Sequence, residues 1–136
     1  MKYYINKEGI TDNSIWKEAL KYATSLITEN TERIVFYFSK KEKIEVWFDK
    51  KTNKKLIDEL WSGNKTINNI IICAETEITY KKGACYNDII ISMGCMSSVL
   101  NNLNQYDNIE NIIAIPWLHS YMEEWKKNNN DIQIIE

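Results

Sequence analysis

The stretch Asn87-Asp-Ile-Ile-Ile-Ser-Met-Gly94-Cys-Met-Ser-Ser98 decides the fold. Its three consecutive isoleucines are too apolar for a strand with one wet face, so they read as a strand buried on both sides. The run breaks at Ser92, Met93 and Gly94, and Val99, Leu100 and Leu103 then recur at helical spacing. A buried strand that turns through glycine into a helix is the repeating unit of open α/β sheets. Ligands of such sheets sit where that turn meets the helix.

Working outward, the same unit recurs towards the C-terminus. Residues 111–115 predict a strand. Residues 117–127 predict a helix with Trp117, Leu118, Tyr121, Met122 and Trp125 on one face and Pro116 in its first turn. Residues 132–135 predict a last strand. In the other direction, residues 67–74 read as a buried strand. Before it comes a helix with Leu56, Ile57, Leu60 and Trp61 on one side, stopping at Ser62-Gly63. Residues 75–86 have no clear period and are expected to form a loop. Residues 33–39 and 43–49 are rich in β-branched and aromatic side chains, and the three polar residues between them predict an antiparallel hairpin. A helix is expected from Asn13, with Ile15, Trp16, Ala19, Leu20 and Ala23 at the 3.6 period and Thr11, Asp12 and Ser14 as caps. Tyr3, Tyr4 and Ile5 fit a short edge strand.

Strands alternating with helices at this spacing predict one α/β domain over residues 1–136. Its architecture is a three-layer Rossmann-like sandwich, with a mostly parallel sheet, right-handed crossovers and an antiparallel hairpin near residues 33–49. No internal repeat or linker divides the chain.

Composition narrows the function classes. The net charge of −2 hides 13 basic against 10 acidic residues in 1–67, and 4 against 9 in 68–136. Much of the positive excess lies in Lys40, Lys41, Lys43, Lys50, Lys51, Lys54 and Lys55, where Glu42, Glu45 and Asp49 interrupt it. Mixed signs read as a solvated surface. Arg33 is the only arginine, which argues against nucleic acid, since arginine supplies the bidentate base contacts. Three cysteines without CxxC spacing give no disulfide framework and no structural zinc pattern. No run reaches membrane-spanning length and no long apolar segment opens the chain, so the expectation is a soluble, cytoplasmic protein.

In a parallel sheet the carboxyl ends of the strands share one rim. That rule gathers Glu75, the turn at 94–98, Trp117 and His119, together with either Ser39 or Asp49. Gly94, Cys95, Ser97 and Ser98 are the first ligand-binding candidates, although the spacing is neither GxGxxG nor GxxxxGK[ST]. Cys95 is a candidate nucleophile and His119, the only histidine, its candidate base. Tyr80 and Lys82, with Lys81 and Tyr86, place a second candidate site in the 75–86 loop. The carboxylates Asp49, Glu75, Glu77 and Asp88 show no spacing that fixes a metal site. Trp16, Trp61 and Trp125 read as packing residues.

Three functions are compatible with this pattern, and no cofactor is specified by it. The first is a module binding a nucleotide or other anionic small molecule at the carboxyl edge of the sheet. The second is a non-catalytic accessory protein using Tyr3, Tyr4, Trp47 and Tyr86 as partner anchors. The third is a small thiol- or carboxylate-dependent hydrolase or transferase. A homo-oligomer is expected where an apolar edge strand is left uncovered.

Overall fold

Residues 33–38 are buried without exception, as a strand with apolar side chains on both faces must be. In the computed structural model, which describes residues 1–11, 14–83 and 85–136, they form β2 (Arg33–Phe38), an interior strand beside the central one in a seven-stranded sheet. The other strands are β1 (Lys2–Ile5), β3 (Lys65–Ile67), β4 (Ile70–Thr76), β5 (Asp88–Met93), β6 (Ile109–Ile115) and β7 (Gln133–Ile135). Their order is β3-β4-β2-β5-β6-β1-β7, parallel throughout except for β3 against β4. β2 lies between β4 and β5, with Phe36 opposite Ala74 on one side and Ile91 on the other.

Strand alternation splits the core into two layers. Ile34, Phe36 and Phe38 share one face with Ile89, Ile91 and Met93, beneath α1 (Ile15–Ser25), α2 (Ile44–Trp47) and α3 (Lys50–Ser62). Val35, Tyr37 and Ile90 face the other way, beneath α4 (Glu77–Gly83), α5 (Ser97–Asn102) and α6 (Glu123–Asn128). The three-layer α/β sandwich with a mostly parallel sheet is therefore present. Gly63, in the left-handed conformation, closes α3 where the sequence predicts its end.

Several local expectations need correction. Residues 43–49 are not the second arm of a hairpin, because Ile44 to Trp47 form a helical turn. The buried residues there are Ile44, Trp47 and Phe48, with Glu45 and Val46 exposed. That is the i, i+3, i+4 pattern, and strand-like composition concealed it. The antiparallel pair instead joins β3 to β4 through Asn68 and Asn69, both at positive φ. Such a two-residue asparagine turn matches the twist of the strands it connects. Most of the expected 75–86 loop is regular structure: β4 continues to Thr76, and α4 follows at once to Gly83, with Tyr80 fully buried. β1 is not an edge strand, since it lies between β6 and β7. Asp12 and Asn13, expected at the cap and start of the first helix, fall outside the described residues.

At the amino edge of the sheet the sole arginine is buried. Arg33 Nε and Nη2 donate to the two oxygens of Asp88 at 2.9 and 2.8 Å, and Glu75 approaches Nη1 at 3.6 Å. The Tyr80 hydroxyl donates to the same carboxylate at 2.7 Å, Asn108 contacts both, and the Tyr86 ring stacks 4.5 Å from the guanidinium. Burial opposes the Arg33 charge, but the hydrogen bonds and charge of Asp88 outweigh it and hold the guanidinium protonated. Removing one member of a buried pair strands the other without a partner, at a cost of about 3–5 kcal/mol. We therefore expect Asp88→Ala and Arg33→Ala each to lose that much in urea unfolding. The double variant is expected to lose clearly less than the sum, and strict additivity would show that the pair is not a unit.

Candidate functional site

Two adjacent strands send the chain in opposite directions. From β2 it passes through α2 and α3 to β4, whereas from β5 it passes through α5, on the other face, to β6 on the other side. A crevice opens at such a reversal, outside the carboxyl ends of the two strands. Here it has a volume of about 380 Å³. Ser39 follows β2 on its rim, and Met93, Gly94 and Met96 come from the end of β5 and the turn after it. Trp117 and Tyr121 enter from the segment after β6. Lys43, Val46 and Trp47 complete the lining, and their i, i+3, i+4 spacing puts them on one face of α2.

The charge of this lining sets it apart. Lys43 is its one ionic side chain, is exposed, and makes no ion pair among the described residues. The wider grooves along α3, of about 710 and 620 Å³, are walled by lysines and carboxylates in equal numbers. Exposed apolar side chains also gather at the crevice: Val46, Met96 and Tyr121 are 50%, 56% and 44% exposed. An apolar rim left open to water marks a binding surface more often than a solvated face.

Trp47 fills the deep end. Its indole meets Trp117 nearly edge-on, with ring centroids 5.4 Å apart. Gly9 and Gly94 both abut the ring, and a Cβ added at Gly94 would lie 2.7 Å from Trp47 Cζ2. Gly94 is further restricted by φ +66°, a conformation that favours glycine. The glycine in the β5 turn thus makes room for the protein's own indole. Gly94→Ala is expected to cost about 2–4 kcal/mol, from left-handed strain and overpacking together. In a Trp47→Leu background only the strain should remain, so a double-mutant cycle by urea unfolding should show positive coupling.

The candidates named from sequence divide by location. Gly94 lines the crevice, but its N–H donates to the Ile115 carbonyl at 2.9 Å. Ser97 is buried and committed to the last helical segment: its Oγ donates to Tyr121 O and accepts from the Trp125 N–H. Ser98 is exposed at the start of α5, which has only six residues. His119 shares a 2.6 Å hydrogen bond through Nδ1 with the Tyr4 hydroxyl, and its backbone N–H donates to the Glu8 carboxylate. Glu75 and Tyr80 belong to the Arg33 cluster, and Lys82 is exposed on α4. Of the carboxylates weighed for metal, Asp49 caps α3 and Glu77 accepts from Asn102. No group of three metal-ligating side chains occurs among the described residues. Tyr3, Tyr4 and Trp47 are buried, leaving only Tyr86 of the four proposed anchors partly open. Lys43, Val46 and Tyr121 were not singled out as site residues from sequence. The helical spacing of Lys43, Val46 and Trp47 was the signal that would have found the first two.

Cys95 is 2% exposed, its Sγ lies 3.6 Å from the Tyr37 carbonyl, and burial pushes the thiol up to about 11. Cys73, also buried, is pushed up to about 12 by burial against the opposing charge of Arg33. At neutral pH both are neutral thiols, which is the wrong state for a nucleophile. Both raised values favour the protonated native state. Their contribution to stability is complete below the unfolded value of 9.0 and is lost as pH rises through about 11 to 12. Iodoacetamide at pH 8 should therefore alkylate exposed Cys85 rapidly, and Cys73 and Cys95 only on unfolding, as read by mass spectrometry.

Comparison with protein-family models, curated proteins and solved structures gave no match. Function must be argued from the site itself.

Proposed function

We propose that the protein is a small module that binds an anionic small molecule, nucleotides included, in the crevice between the carboxyl ends of β2 and β5. One observation carries this reading: at the topological reversal of the sheet, an open apolar crevice has Lys43 as its only ionic group. Its volume falls within the range of small-molecule sites. A cation without a competing carboxylate in the lining favours a negatively charged guest. The accessory-protein reading keeps only Tyr86 of its four anchors, because Tyr3, Tyr4 and Trp47 are occupied in the core. The thiol-dependent form of the hydrolase or transferase reading loses support with the burial of Cys95.

A ligand that binds only the native state stabilises it by about 2.7 kcal/mol when present at one hundred times its Kd. Thermal unfolding with a panel of nucleotides, cyclic nucleotides, NAD-type compounds and organic acids should show at least one concentration-dependent rise in Tm. Lys43→Glu should abolish that rise while leaving the unliganded Tm nearly unchanged, because Lys43 is exposed. Absence of any rise across the panel would count against the reading.

A further inference from the structure

Resting on that reading, we infer that the crevice takes a planar aromatic carboxylate, with its ring among Trp117, Tyr121 and Met96 and its acid group at Lys43, rather than a phosphorylated nucleotide. Three independent features point away from phosphate. The backbone N–H of Gly94, which a phosphate at the turn would need, is spent on Ile115. The close approach that glycine permits is taken by the Trp47 indole. The only arginine, the side chain suited to bidentate phosphate contacts, is buried against Asp88 at the opposite edge of the sheet.

The remaining surface favours a flat ring. Indole and phenol groups offer faces and edges to an aromatic guest. A thioether adapts its shape and contacts ring edges favourably. Met96 and Tyr121 are exposed and Trp117 is partly so, which leaves them available to a guest in this conformation. At about 380 Å³ the crevice matches one or two fused rings, near the small end of ligand sites. A single lysine pairs with a monoanion, and its placement one helical turn from Val46 and Trp47 sets the charge beside the apolar wall.

The test compares three probes on the intact chain: 2-naphthoate, its neutral isostere 2-naphthamide, and AMP. Titration followed by the indole N–H resonances in 1H–15N spectra reports on the crevice directly, since two of the five tryptophans line it. Naphthoate is expected to shift two indole signals and to bind about tenfold more tightly than naphthamide, with AMP weaker than both. Lys43→Gln should remove the tenfold preference for the acid and leave naphthamide binding unchanged. AMP binding more tightly than naphthoate at the same resonances would overturn the aromatic-acid assignment and leave the small-molecule site standing. Equal loss of acid and amide in Lys43→Gln would overturn the role of Lys43 and with it the assignment. No shift with any probe at millimolar concentration would overturn both.

Discussion

The buried contact between Arg33 and Asp88 fixes the two central strands against each other. The two residues are directly opposite in the parallel ladder, so their paired charges allow only one register. A slip by one residue would turn every side chain of β2 to the wrong face and leave two buried charges unpaired. Tyr80 draws α4 onto the same carboxylate, and Asn108 does so for the approach to β6. Once this edge is locked, β2 and β5 end at matched heights on the other side, with Tyr37 opposite Ser92. Ser39 and Gly94 then meet across the crevice as a consequence of a charge pair at the far end of the same strands.

The two edges of the sheet use opposite physics. The amino edge holds a dense set of charged and hydrogen-bonded groups, closed over by Tyr86. The crevice at the carboxyl edge is built from rings, thioethers and glycine backbone, and its polar groups are few. Trp47 links that edge to the core, because the indole that floors the crevice also packs with the α1–α3 layer. The shape of the crevice and the packing of the core are therefore not separable at this position.

The fold class was legible because the decisive strands carry their burial in their composition. Ile89, Ile90 and Ile91 could belong only to a doubly covered strand, and Gly63 marked a helix end by its backbone freedom alone. Local composition misled where tertiary packing set the outcome. Ile44, Val46, Trp47 and Phe48 have strand-forming side chains, yet the core accepts three of them only at helical spacing. Asn68-Asn69 was a readable hairpin turn, overlooked because Ile67 and Ile70 to Ile72 on either side of it read as a single strand. The crevice was legible as an address, since Gly94 and the rim rule lead to it. Its chemistry was not, because nothing local to Gly94 reveals that an indole from 47 positions earlier occupies the space beside it.

The position of β1 has a consequence for how the sheet is assembled. Lys2 pairs with Ile112 and Tyr3 with Gln133, so β1 has no partners until nearly all of the residues of this sheet have been made. β2, β4 and β5 can meet earlier through closer contacts, and β1 must then dock on β6 over a very long loop closure before β7 can add to its other side. During synthesis Tyr3, Tyr4 and Ile5 wait as an unpaired apolar segment, and β7 has no neighbour to join until they dock. Completion of the sheet is thus deferred at one edge, which β1 and β7 close together like a seam sewn last.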